Sequence, residues 1–378
     1  MEKVKKKALI FEAFAFHYDI RIQYVQSALE RNGYETEIYF ADFDHVRKEY
    51  YVNKRIGVHY LHVEEYQRNL SYARMHSHAM FAKTCIEEAE KHSDVSLIYV
   101  MVPPNSMAKQ FGIYKKNHPN VKVWFDVLDM WPESLPVSNT LKKLATPVLS
   151  IWGNLRNHYL DSSDCITSEC NLFKDVLNKY TKKKIQTVYL AQPNRIMDSY
   201  DDINECIHFL YCGSINHIID ITKIITFLKE VMKKRKISID IVGEGENRTT
   251  FIQQLEENSI PYQYHGIVYN ELKKQEIFQH CHFGINVMKD TVYVGLTMKS
   301  LDYLSHGLPL INNIKGDTTE LVNKEKIGFN LTDVDKIISL TSDEYKDMRK
   351  QTKDTFLKYF ENKVINQKFD EVIQKLEG

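Results

Sequence analysis

A chain of 378 residues is longer than the roughly 250 to 300 that one hydrophobic core usually supports, so two domains with a cleft between them are expected. Its 50 basic and 50 acidic residues cancel, so no overall field draws it to nucleic acid and any anion site must be local. The six cysteines (Cys85, Cys165, Cys170, Cys206, Cys212 and Cys281) include no C-x-x-C pair, which suits reduced thiols better than a disulfide framework or a zinc site. The start, MEKVKKKALIFEAF, has a short apolar run and no small-residue cleavage site, and reads as a first strand rather than a signal peptide. No stretch nears the roughly 18 uninterrupted apolar residues of a membrane span. The expected place is the cytoplasm, with peripheral contact at the inner face of the cell membrane left open.

Strand-like and helix-like segments alternate along the chain. Residues 7–13 read as a strand, 20–31 as a helix and 35–40 as a second strand, followed by a long charged and aromatic helical region over 63–91. The apolar run SLIYVMV at 96–102, stopped by Pro103 and Pro104, suits a strand buried on both faces of a parallel sheet. A helix near 107–116, a strand at 121–127, a helical stretch over 140–159, a strand at 165–168 and a last unit ending at 185–190 complete a doubly wound α/β pattern. Residues 191–205 are polar and aperiodic and read as a linker. The pattern then restarts, with strands at 207–213, 237–243, 262–268, 283–288 and 327–331 and helices over 218–234, 246–258, 271–280 and near 318–323. Between them GLTMKSLDYLSHGLPLINN, 295–313, reads as a helix, a glycine stop and an apolar run. The remaining forty or so residues are helical and charged. The expected division is 1–195, joined by a C-terminal helix from about 355 to 378, and 206–354.

In open parallel sheets ligands sit beyond the carboxyl ends of strands. In the second domain those places hold Gly213-Ser214, Gly243-Glu244-Gly245, Gly266-Ile267-Val268 and Lys289-Asp290. Glycine lets backbone approach a ligand, and the next helix N-terminus attracts phosphate, although such turns need glycine for geometry too. Lys299 and Asp302, three residues apart near the start of a helix, read either as a surface ion pair or as groups facing a ligand with phosphate and hydroxyls. In the first domain the strand ends carry residues 14–19, 103–106 and 126–133. Asp126 and Asp129 diverge in an extended chain and lack a third ligand, so no metal is expected there; Asp129 or Ser134 caps the next element, or Asp129 meets substrate. The neighbours His280, Cys281 and His282 diverge too, and structural use is expected.

Several segments together resemble the GT-B fold of glycosyltransferases, and within it the large family 4 of retaining, nucleotide-sugar-dependent enzymes of bacterial polysaccharide and glycan assembly. They are YDIRIQYVQSALERNGYETEIY (18–39), FDVLDMWPESL (125–135), IDIVGEGENR (239–248), YHGIV (264–268), MKSLDYLSHGLPLI (298–311) and GDTTELV (316–322), in the family's usual order. The resemblance implies two Rossmann-like doubly wound domains facing a central cleft, with the C-terminal helix returning to the N-terminal, acceptor-side domain. It assigns Lys299 and Thr297 to the donor diphosphate and Asp302 to ribose hydroxyls in place of the usual glutamate. The turn 266–269, with Val268 and Tyr269, would take the base, while Gly213, Ser214 and Gly243 admit the backbone and Arg248 and Lys289 supply further cations. Asp19, Asn105, Asp126 and Asp129 would line the acceptor side, Asp129 beside the chemistry with Lys299.

The chain departs from the family in three places. FEAFAFHYD, with His17, stands where a glycine-rich loop follows the first strand; SINHIID after Gly213 lacks the family's Arg and Lys; and Val294 replaces the first glutamate of a Glu-x7-Glu motif. The implied activity is transfer of a hexose from a nucleotide sugar, expected to be UDP-linked, to a glycan, lipid-linked saccharide or glycoprotein hydroxyl, without metal or cofactor. The alternatives are a non-catalytic accessory subunit that binds a partner transferase or acceptor polypeptide, and a nucleotide-sugar epimerase. The segment 140–160 mixes Trp152 and apolar residues with Lys142, Lys143 and Arg156, a pattern open to membrane contact, with Pro147 interrupting it. A homo-oligomer is also left open.

Overall fold

The computed structural model describes residues 6–14, 19–135, 143–197 and 199–378. They form two compact units, residues 1–191 with 365–378, and residues 192–364. The return to the first unit thus begins at Ile365 and not near residue 355, because the helix Ser342–Tyr359 groups with the second unit.

In the first unit β1 (Lys6–Glu12) pairs in parallel with β2 (Tyr34–Ala41), placing Ile10 beside Ile38. A short antiparallel ribbon, β3 (Phe43–Asp44) with β4 (Glu49–Tyr50), leads to β5 (Val58–Leu61), and β6 (Val95–Val102), β7 (Lys122–Val127), β8 (Cys165–Ser168) and β9 (Ile185–Thr187) follow. The sheet order is β5-β2-β1-β6-β7-β8-β9, all parallel. The chain works outward from β1 to β5 and then returns to β6 on the other side of β1, so the topological switch lies between β1 and β6. The apolar run of β6 is buried on both faces, as its composition predicts.

One expectation fails here for a local reason. The helix expected over 63–91 is Tyr72–Ala89, capped by Ser71, whose hydroxyl accepts from the Arg74 N–H; the residues before it hold β5 and a loop. The helical stretch expected over 140–159 is found at 143–144 and Thr146–Asn157, with Pro147 in the first turn of the latter, where a missing N–H costs nothing; residues 140–142 lie outside the described residues.

One buried knot ties this unit together. Asp126, fully buried near the end of β7, accepts from Arg21 Nε (2.6 Å) and Nη2 (2.8 Å), from Thr167 Oγ1 (2.6 Å) and from the Tyr99 hydroxyl. Thr167 Oγ1 in turn accepts from Trp124 Nε1 at 2.7 Å. The C-terminal helix Asn362–Glu377 covers this face, with Phe369 against Trp124 and against the Arg21 guanidinium. Lys6–Glu377 and Arg31–Asp370 ion pairs hold its flank.

The second unit repeats the plan with β10 (Ile207–Cys212), β11 (Ile237–Val242), β12 (Tyr262–Gly266), β13 (Phe283–Asn286), β14 (Leu310–Asn312) and β15 (Gly328–Asn330). The order β12-β11-β10-β13-β14-β15, again all parallel, puts its switch between β10 and β13. Phe209, Ile239, Phe283 and Ile285 pack one face against Ile224, Leu228 and Phe251 of the covering helices. No helix among the described residues is long and apolar enough to cross a membrane.

Candidate functional site

At the switch of the second sheet, β10 and β13 pair only at Phe209 with Phe283 and Leu210 with Gly284, and then part. Tyr303 fills the gap: its hydroxyl accepts from the Cys212 N–H (2.8 Å) and donates to the Ile285 carbonyl (3.3 Å). Gly284 makes this possible, since a Cβ there would lie 2.3 Å from the Tyr303 ring. Tyr303 belongs to the helix Met298–Ser305, whose start is therefore fixed against the parted strand ends.

Lys299 rises from the first turn of that helix to the end of β10. Its Nζ donates to the Tyr211 hydroxyl (2.6 Å) and lies 3.4 Å from the Ser214 carbonyl, to which Tyr211 itself donates at 2.7 Å. A Cβ on Gly213 would come within 2.7 Å of Lys299 Cε, so this glycine clears the path of the lysine. Burial draws the ammonium down to about 8. No carboxylate among the described residues pairs with it. The site thus offers a cation bonded only to neutral oxygens, beside a helix N-terminus, where an anion is favoured.

Asp302 turns elsewhere, to Lys274 Nζ at 2.7 Å and toward the Cys212 thiol at 3.8 Å. The ion pair read as an alternative for Lys299 and Asp302 is not formed; each has a different partner. Lys274 would have to share Asp302 with any ribose.

The side-chain role assigned to Thr297 is corrected. Thr297 is buried as the cap of Met298–Ser305: its oxygen accepts from the Ser300 N–H (3.0 Å) and contacts Asn286 Oδ1 (2.8 Å), which leaves only backbone for a diphosphate. Asn286 leans in turn on Asn312 across the strand ends (3.0 Å). Gly243 serves the fold, since a Cβ would strike the Gly213 carbonyl oxygen at 2.0 Å. Arg248 is exposed and paired with Glu244 at 3.0 Å. Lys289 is exposed after β13, while its neighbour Asp290 pairs with Lys223. Beyond β12, Gly266 takes a φ of +66°, and Ile267 (52 % exposed) and Tyr269 (87 % exposed) stand open to solvent, with Val268 half-buried between them.

In the first unit, Asp126 belongs to the buried knot and has no face for an acceptor. Asn105 is fully buried as well, its amide donating to the carbonyls of Trp131 (2.7 Å) and Trp152 (3.1 Å). Asp129 accepts from the Met130 N–H (2.7 Å) and the Ser134 hydroxyl (2.5 Å), which is the turn-capping alternative; burial raises its pKa. Asp19 is held by Arg55 and by Gln23 (2.8 Å). Phe16, His17 and Tyr18 lie outside the described residues. Among the described residues no group of three metal-ligating side chains comes together; Cys281 and His282 are buried, and His280 contacts Asp201.

Sequence reasoning missed Tyr211, Lys274 and Glu12. Tyr211 reads as an ordinary apolar strand residue, and Lys274 as one of many surface lysines. Glu12 is fully buried at the end of β1 with neither oxygen bonded among the described residues, and burial, then the nearby Asp19, raises it well above the usual carboxylate range.

No protein-family model matches the chain, and no curated protein matches it in sequence. Solved structures do match. A lipopolysaccharide outer core galactosyltransferase, WaaB, aligns with TM-score 0.67 at 12 % identity over 98 % of this chain and 99 % of its own. Sucrose-phosphate synthase from Thermosynechococcus elongatus gives 0.67 at 11 % identity over 99 % of both chains. TarM from S. aureus, solved with fondaparinux, α-GlcNAc-glycerol and UDP, gives 0.55 at 13 % identity over 83 % of this chain and 59 % of its own. At such identities the likeness speaks for architecture, and with two Rossmann-like units of wholly parallel sheet it establishes that this chain has the GT-B fold.

Proposed function

We propose that this chain is a retaining, metal-independent glycosyltransferase that moves a hexose from a nucleotide sugar, UDP-linked by preference, to a hydroxyl of a glycan, lipid-linked saccharide or glycoprotein. The observation that carries the reading is Lys299: a cation without a carboxylate partner, at a helix N-terminus, at the switch point of a parallel sheet. The names of the similar structures, a galactosyltransferase and a UDP complex among them, agree with it. As the leaving diphosphate departs from an oxocarbenium-like centre, charge grows on its oxygens, and a preorganised ammonium favours that state over the ground state. The acceptor hydroxyl arrives on the same face and its proton passes to the leaving phosphate. Tyr269 and the turn after β12 offer a surface for the base, Gly213 and Ser214 for the diphosphate, and Lys289 a second cation. A thermal-shift screen of nucleotide sugars tests the reading: a donor at a hundred times its Kd adds about 2.7 kcal/mol to apparent stability. A flat response to every donor would count against it.

The pH dependence has a definite sign. Lys299 titrates near 8 in the empty site, and a bound diphosphate diester, which has no proton to lose in this range, raises that value. Donor affinity is therefore expected to be full below pH 8 and to fall above it by up to about tenfold per pH unit, until the raised pKa of the complex is passed. Calorimetric titrations between pH 7 and 10 measure it, and affinity constant to pH 9.5 would remove Lys299 from the donor site.

The accessory-subunit reading rests on the stretch 214–220, SINHIID, which lacks the Arg and Lys that the family carries after Gly213. Donor hydrolysis or transfer by the isolated protein separates the two.

A membrane-facing role fits the helix Thr146–Asn157, which is amphipathic the wrong way round. It buries Gly153, Arg156 and Asn157 and exposes Val148 (62 %) and Ile151 (68 %) in line with Leu144 (77 %). Exposed Lys143 lies next to Leu144. Co-sedimentation with anionic vesicles is expected, and Leu144→Asp with Ile151→Asp should weaken it at least about tenfold. Undiminished binding by the double variant would refute this contact.

A further inference from the structure

A second group of cations in the first unit has no carboxylate at ion-pair distance among the described residues. Lys48 Nζ lies 4.6 Å from the centroid of the Tyr66 ring and the Arg74 guanidinium carbon 5.7 Å from the same centroid. Both also meet Asn69: Arg74 Nη1 donates to its carbonyl at 3.0 Å, and Lys48 Nζ to its side-chain oxygen. Two like charges are thus gathered on one ring and one amide. Arg74 is only 9 % exposed, and its Nε–H finds no acceptor. One turn further along the same helix, His78 is buried with Nε2 unpartnered.

The acids nearby are committed. Asp44 accepts from the Val46 and Arg47 N–H groups, and Asp129 from Met130 and Ser134; they act on Lys48 and Arg74 only from beyond ion-pair distance. Burial, then the charge of Arg74, lowers Lys48, and burial lowers Arg74. His78 is held neutral by burial and by the same two cations. Trp131 braces the cluster, with the guanidinium 4.3 Å from its ring and His78 stacked on it at 5.8 Å. The first turn of Tyr72–Ala89 adds its own positive potential. Like charges gathered in a water-poor place oppose folding unless an anion joins them.

We propose that Lys48, Arg74 and His78 form an oxyanion-binding site in the first unit, for a phosphate monoester or diester carried by the acceptor. Arg74 would present its unpaired Nε–H, Lys48 its ammonium, and His78 its free ring nitrogen as a donor. The use of the phosphate as an acceptor handle rests on the glycosyltransferase reading; phosphate binding itself does not.

The test is calorimetry with inorganic phosphate and with glycerol 3-phosphate at constant ionic strength, in a Lys299→Ala background that silences the donor site. Lys48→Gln and Arg74→Gln should each weaken binding at least about tenfold. Lys48 is half-buried, so Lys48→Gln keeps the test informative if Arg74→Gln fails to fold. Vesicles containing phosphatidic acid, retained in a Lys48-dependent way, would place the phosphate on a lipid; binding of glycerol 3-phosphate without vesicle retention would place it on a soluble acceptor. Binding unchanged in Lys48→Gln, or absent with all three probes, overturns the site. Absence of sugar transfer leaves these titrations untouched, whereas lost phosphate binding with transfer intact refutes this site alone.

Discussion

Lys299→Ala is expected to lower turnover by about a hundredfold to a thousandfold, the range seen when one preorganised donor to a developing oxyanion is removed. The same change should leave thermal stability unchanged or slightly higher. The argument is one of sign. Burial lowers the folded-state pKa of Lys299 below that of an unfolded lysine, so at pH 7 the fold bears a cost for keeping the group charged, and alanine removes that cost. Nothing else depends on the ammonium, since Tyr211 keeps its bond to the Ser214 carbonyl. Activity and stability should therefore move in different directions, as for a residue held in strain for function. Differential scanning calorimetry beside a donor-consumption assay measures both. Retained turnover would sink the role of Lys299, and a collapse of stability would make it a structural residue.

Asp126→Ala should have the largest effect on folding, about 3–5 kcal/mol, because it leaves the Arg21 guanidinium buried without its carboxylate. The Tyr99 and Thr167 hydroxyls lose their acceptor in the same step. The protein carries its own reporter: Trp124, Trp131 and Trp152 all lie in the first unit, so selectively excited tryptophan fluorescence follows that unit. Its urea midpoint should fall by about 1 M or more, given typical slopes of about 1–3 kcal/mol/M. A shift within error of zero would show that the knot adds nothing to stability, whatever its geometry.

Both residues were visible in the sequence, Asp126 in an acceptor-side role that its burial rules out. Lys299 stands out because a charge near a helix start after a buried strand is hard to explain by packing. Asp126 stands out for the same reason, yet its partner Arg21 is 105 residues away in sequence, and no local pattern announces the pairing. Long apolar strands such as β6 and well-spaced helices such as Ile221–Met232 could be read from periodicity. β5 could not, since VHYL is four residues long and half-exposed, and only its pairing with β2 makes it a strand. Thr297, Gly243 and Asn105 sit where ligand-binding residues belong, but their side-chain positions are taken up by caps and close backbone contacts. Spacing identifies such positions without distinguishing the two uses.

The first unit is closed by residues from both ends of the chain, and this bears on how the protein is made. Residues 1–191 leave the ribosome early, but Phe369 and the helix that covers Trp124 and Arg21 come last, after all of 192–364. Until then an apolar face beside a buried charge waits unshielded, while the second unit can already mature. Chaperone capture of nascent chains should concentrate in that interval, and residues 365–378 act as the latch that ends it.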